Sequence, residues 1–197
     1  MPEQQEIFHF AAVGDSLTVS YLAPGSLPMG QPRPAPWPEQ IDRPPLSYAG
    51  GWAVSGATTG EMRDGLRPIR GLDLLVILGG TNNLYEGRGF GGIPADYQRI
   101  SEKCPAPHTL IAAVPPYELF PEAGVRLNGQ LRELAEQRGW DFTDPWRQLR
   151  ASGDPGAWLR EFRADGVHPR PDGYRVLARA LRGAILSILG VSDPASA

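Results

Sequence analysis

A serine hydroxyl is a poor nucleophile until an imidazole takes its proton, and the imidazole needs a carboxylate to hold its tautomer. The chain contains three histidines, so the search for such a base is short. His9 lies inside an apolar run and reads as structural, its ring directed into a sheet layer or a neighbouring helix. His108 follows Pro105-Ala106-Pro107 at the amino end of another apolar run, the wrong edge of a parallel sheet for catalysis. His168 stands in Asp165-Gly166-Val167-His168-Pro169, just before a long helical pattern. It alone has an aspartate, Asp165, on a turn that can bring both side chains to one rim. Ser16 is the candidate nucleophile. It follows an apolar run, Gly14 permits a tight turn there, and a hydroxyl at the mouth of a helix meets a favourable dipole. Taken alone, Gly14-Asp15-Ser16 favours a serine that merely caps the following turn.

The elements that must position these groups are legible as alternating patterns. Ile7–Val13, Leu72–Leu78 and Thr109–Val114 are short apolar runs stopped by Gly or Pro, and they predict buried strands. Ser47–Val54 and Trp140–Thr143 are weaker strand candidates. Helical patterns cover Thr58–Leu66 with a threonine cap, Pro94–Lys103 opening with proline, and Ala123–Arg138 ending at Gly139. A last helix from Pro171 places Tyr174, Leu177, Leu181, Ile185 and Ile188 on one stripe. Strands alternating with helices predict an α/β fold, a parallel sheet with helices on both faces and right-handed crossovers. In such sheets ligands gather at the carboxyl ends of the strands. Gly14-Asp15-Ser16 and Gly80-Thr81-Asn82 both fall there.

The chain has 197 residues, a net charge of −3, 41% hydrophobic residues and one cysteine. These values predict one domain over 1–197 with its core at about 6–190. No basic cluster points to nucleic acid as a partner. Cys104 permits no intramolecular disulfide. No apolar run reaches membrane-spanning length, and the start lacks the basic region of a signal peptide, so a cytoplasmic location is expected. Residues 21–45 hold eight prolines, and a loop of that length just after Ser16 is expected to lie near the site. Trp37 within it is the tryptophan best placed to line a pocket. Arg63 and Arg170 are expected to be solvated rather than to bind an anionic substrate. The tail Ser192–Ala197 is expected to fray. Histidines and acids do not occur at zinc spacing, no Walker-type phosphate loop is present, and no Gly-x-Ser-x-Gly elbow is found. No metal and no cofactor are therefore expected.

Four blocks occur in a definite order: AAVGDSLTVSY around Ser16, AVSGATTGEM with Gly56, ILGGTNNL with Asn82, and ADGVHPRPDGYRVLA with Asp165 and His168. Together they resemble the SGNH hydrolases, often called the GDSL family, across Val13 to Ala178. The resemblance implies a flavodoxin-like three-layer α/β/α sandwich with a central parallel sheet of about five strands. It also implies a serine hydrolase that cleaves a carboxylic ester or related acyl bond through an acyl-enzyme. By position, Ser16 is implied as nucleophile and backbone oxyanion donor, Gly56 as a second backbone donor, Asn82 as a side-chain donor, His168 as base and Asp165 as its orienter. The third block departs from the family in one place: Asn83 stands where many members have aspartate. It is expected to keep a hydrogen-bonding role while removing a charge. Asp15 is expected to shape its own turn. Two other functions fit the same residues, an acyltransferase with the same triad and a binding protein without turnover. The expected partner is a small-molecule ester. Neither its identity nor the oligomeric state is written in the residues.

Overall fold

The structure, a computed structural model, describes residues 6–193. The final part of the tail expected to fray, residues 194–197, lies outside that range. Five strands form one parallel sheet: β1 (Phe8–Gly14), β2 (Leu46–Ala53), β3 (Leu74–Leu78), β4 (His108–Ala112) and β5 (Asp141–Thr143). Their spatial order is β2-β1-β3-β4-β5. The helices are α1 (Trp37–Ile41), α2 (Thr59–Gly65), α3 (Thr81–Tyr85), α4 (Ile93–Lys103), α5 (Pro121–Arg138) and α6 (Pro171–Ile188).

The strand sequences explain the layering. Central parallel strands are covered on both faces, so they read as continuous apolar runs. Every residue of β3 is buried. Alternate side chains then divide between two cores. Phe10, Ala12, Leu74, Val76 and Leu78 pack with Trp37 and Ile41 of α1 and with Tyr174, Leu177, Leu181 and Ile185 of α6. Ala11, Val13, Leu75 and Ile77 pack on the other face with Met62 of α2, Tyr97 and Ile100 of α4, and Leu127 and Leu131 of α5. This is the three-layer α/β/α sandwich. β2 lies at the sheet edge and carries Gly50-Gly51, where its register with β1 slips. A Cβ on Gly51 would lie 1.8 Å from the Ala12 carbonyl oxygen, so only glycine allows that approach.

Several expectations are corrected. His9 is exposed rather than directed into a layer, because it stands at the amino edge of β1, where the helices no longer cover the sheet. No helix follows Ser16. The chain makes hydrogen-bonded turns instead, with the Asp15 carbonyl accepting from Thr18 N and Val19 N. Trp37 is a core residue rather than a pocket wall. It is fully buried against Phe10, with ring centroids 6.2 Å apart, because the proline-rich segment folds α1 down onto α6. Arg63 is partly exposed but paired with Asp64 and Asp96, whereas Arg170 is solvent-exposed as expected, its Nε donating to the Arg163 carbonyl. No described helix is long and apolar enough to cross a membrane.

The return of the proline-rich segment is held by one buried cation. The Arg182 side chain, 3% exposed, pairs with Asp193. It also donates to the carbonyls of Ile41, Arg43 and Pro44. Arg182→Ala strands these acceptors and is expected to lower stability by about 3 kcal/mol. Urea unfolding measures this, and a loss below about 1 kcal/mol would show that water replaces the guanidinium without difficulty.

Candidate active site

The carboxyl ends of β1 and β3 are adjacent, and the chain leaves them toward opposite sides of the sheet. That divergence opens a crevice. At its floor Gly14 passes close beneath the following turn. A Cβ there would lie 2.0 Å from Thr18 Oγ1 and 2.8 Å from the Leu78 carbonyl. The glycine thus permits the tight turn expected there by allowing this close approach. Asp15 comes next and is fully buried. Its Oδ1 accepts from Leu17 N at 3.0 Å, the turn-shaping role expected of it. Ser16 follows, 8% exposed.

His168 Nε2 lies 2.9 Å from Ser16 Oγ, and its Nδ1 lies 2.8 Å from Asp165 Oδ2. A carboxylate can only accept, so Nδ1 carries the hydrogen and Nε2 is left to accept from the serine hydroxyl. Asp165 Oδ1 also accepts from His168 N at 2.8 Å and Val167 N at 3.1 Å. Partial burial raises the Asp165 pKa, but these backbone bonds and the imidazole outweigh it and hold the carboxyl below its usual range. The turn carrying them is fixed from outside. Gly166, at a φ of 91°, accepts through its carbonyl from Glu118 N at 3.0 Å, and the Glu118 carboxylate pairs with Arg163 at 2.6 Å.

Asn82 is the second residue of α3, which begins after Gly80 at a φ of 109°. Its Nδ2 donates to the Ala57 carbonyl at 2.9 Å and lies 3.4 Å from Asp15 Oδ2. Gly56 precedes Ala57 in the turn between β2 and α2. It is exposed, has a φ of 84°, and has no atom within 4 Å of where a Cβ would project. Asn83 keeps the hydrogen-bonding role expected of it, bonding Thr59 through both ends of its amide. Ser16, Asn82, Asp165 and His168 line one cleft of about 300 Å³. Tyr85, Tyr117 and Leu119 share its wall, and nothing in their sequence surroundings announced them. Of the proline-rich segment, Tyr21 meets the site, its ring 4.7 Å from that of His168. Ser20, at a φ of 53°, makes the turn that brings it there. Neither Arg63 nor Arg170 lines the cleft. Among the described residues no group of three or more His, Cys, Asp or Glu side chains could hold a metal ion.

The GDSL-like lipase/acylhydrolase family matches residues 12–176 of the chain. No curated protein sequence matches. Among solved structures, a carbohydrate acetylesterase family member from Sinorhizobium meliloti superposes with a TM-score of 0.69 at 20% identity, covering 94% of this chain and 100% of that one. The aryl esterase of M. smegmatis gives 0.64 at 19% identity, covering 91% and 99%. A GDSL-like lipase from Bacteroides thetaiotaomicron gives 0.64 at 17% identity, covering 91% and 88%. At these identities the likeness establishes the three-layer fold.

Burial pushes the Asp15 carboxyl up to about 7, against the Leu17 N–H and its own backbone N–H, which lower it. A carboxyl whose pKa is raised on folding lends stability below its unfolded pKa and loses it as pH rises through the folded value. The stability of Asp15→Asn relative to the unsubstituted protein is therefore expected to climb between about pH 4 and pH 7 and then level off. Urea unfolding at several pH values measures it, and a pH-independent difference would mean that Asp15 does not titrate in this window.

Proposed function

We propose, because this chain belongs to the GDSL-like lipase/acylhydrolase family and is an esterase, that it cleaves its ester through Ser16, His168 and Asp165 by way of an acyl-enzyme. The observation that carries the reading is the continuous run Asp165 Oδ2–His168 Nδ1 at 2.8 Å and His168 Nε2–Ser16 Oγ at 2.9 Å. These are working distances for general-base proton transfer. His168 takes the hydroxyl proton as Ser16 Oγ attacks the ester carbonyl. Asp165, acceptor to three donors, steadies the ring while it is cationic. His168 then returns the proton to the leaving alcohol, and water cleaves the acyl-enzyme by the same route in reverse order.

The tetrahedral intermediate carries a negative oxygen that needs donors already in place. Ser16 N–H, Gly56 N–H and the Asn82 amide are proposed for this. One Asn82 N–H is held by the Ala57 carbonyl at 2.9 Å. The other has only the long 3.4 Å contact with Asp15, and it is the one left to meet an oxyanion. The exposed Gly56, with open space where a Cβ would stand, lets a substrate approach its N–H.

A cleft of about 300 Å³ walled by Tyr85, Tyr117 and Leu119 suits an ester with a short acyl group and an apolar or aromatic face. The similar S. meliloti protein is a carbohydrate acetylesterase family member and that of M. smegmatis an aryl esterase, in keeping with this reading. On p-nitrophenyl esters from acetate to palmitate, turnover is expected to be highest at the short end. Ser16→Ala and His168→Ala are each expected to lower kcat by at least about 1000-fold, and Asp165→Ala by less. Unchanged turnover in Ser16→Ala would remove the serine from the mechanism, and an optimum at palmitate would overturn the short-acyl assignment.

A further inference from the structure

A buried network behind the cleft has no part in the proton transfers. Asp96, on α4, is 6% exposed. Its Oδ1 accepts from Arg63 Nη1 at 2.6 Å, and its Oδ2 accepts from Thr59 Oγ1, also at 2.6 Å. Thr59 in turn faces Asn83. Its N–H donates to Asn83 Oδ1 at 3.0 Å, and its Oγ1 receives Asn83 Nδ2 at 3.1 Å. Asn83 adjoins Asn82, whose Nδ2 is tied to the carbonyl of Ala57. Residues 57–59 and 82–83 are thereby laced by three hydrogen bonds at the rim of the cleft.

The directions of these bonds depend on one another. The Thr59 hydroxyl has a single hydrogen. A carboxylate accepts only, so that hydrogen points to Asp96. Oγ1 then has only lone pairs to offer Asn83, which must present its Nδ2 and leave Oδ1 for the Thr59 N–H. A reversed amide would set oxygen against oxygen and N–H against N–H. Helix α3 has five residues, too few to hold its own geometry, so its seat depends on such bonds. We propose that Asp96 is a positioning residue for Asn82, acting through Thr59 and Asn83 to fix α3 and so the aim of the Asn82 amide at the oxyanion. This rests on the reading of Asn82 as an oxyanion donor.

The network gives a reciprocal test. In Asp96→Asn, Arg63 claims the amide oxygen, so the new NH₂ faces Thr59 Oγ1 and the hydroxyl hydrogen must turn toward Asn83, which already donates there. In Asn83→Asp, two carboxylates compete for one hydroxyl hydrogen. With both substitutions together, the carboxylate introduced at position 83 accepts the Thr59 N–H and O–H while the amide introduced at position 96 donates to Oγ1. The chain is then complete again with its direction reversed.

Transition-state aim is what each single variant loses, so kcat for p-nitrophenyl acetate is expected to fall about tenfold with KM within about twofold. The double variant is expected to recover kcat to within about threefold of the unsubstituted enzyme. An unchanged kcat in Asp96→Asn, or a double variant whose loss is the product of the two single losses, would overturn the proposal. If Asp96→Asn does not fold by circular dichroism, Asn83→Asp and the double variant carry the comparison alone. Ser16→Ala is assayed beside them. Activity retained there defeats the underlying mechanism, whereas an inactive Ser16→Ala with a fully active Asp96→Asn defeats only the role of Asp96.

Discussion

The cleft depends on one topological constraint. β1 sends the chain to one edge of the sheet and β3 sends it to the other, so no crossover covers the gap between their carboxyl ends. Ser16 and Asn82 each leave a strand at that gap. The two strands end differently, each according to local need. After β1 the chain must fold back over itself at once, and Gly14 admits Thr18 almost into contact with the backbone. After β3 it must reverse sharply into α3, and Gly80 supplies the positive φ. The proposed base, His168, comes from elsewhere, on a turn between β5 and α6, where a largely buried ring is held by its bond to Asp165.

Polar groups around the cleft are arranged in two ways. Asp165 is half-exposed and multiply bonded to donors, so it is held charged. Asp15 is wholly buried with few donors, so its charge is opposed. The two carboxyls flank one serine, and solvation separates their behaviour. In the proposed mechanism negative charge develops on the substrate, and burial opposes a further charge on the nearby Asp15. Asp15 meanwhile braces the turn by accepting from Leu17 N.

How much was legible in the sequence follows the same physics. β1, β3 and β4 stood out because strands buried on both faces cannot alternate, and their apolar runs are unmistakable. Thr58 was readable as a helix cap, and the structure adds its reciprocal partner Glu61. His168 could be singled out as the candidate base because the chain has few histidines and because an aspartate three residues before it can fold back on it. Gly56 and Asn82 became candidates only through the family resemblance, since an amide N–H in a turn leaves no periodic trace. α1 and α3 were missed because helices of five residues fall below any periodic signal. Trp37 was misplaced for a related reason. Its burial is decided by where a proline-rich loop returns, under the grip of Arg182 on carbonyls far away in sequence. The Asp96 network was equally invisible, because each of its bonds joins residues more than twenty positions apart.

Ser16 and His168 are separated by 152 positions, one close behind the first strand and the other just ahead of the last helix. On the proposed mechanism the hydroxyl therefore meets its base only where the sheet between them and α6 are both in place. A partly folded chain, or one that has lost its final segment, carries an ordinary serine. If Ser16 and His168 act as proposed, such an arrangement keeps the nucleophile silent until the native fold is reached and makes turnover itself a gauge of native structure.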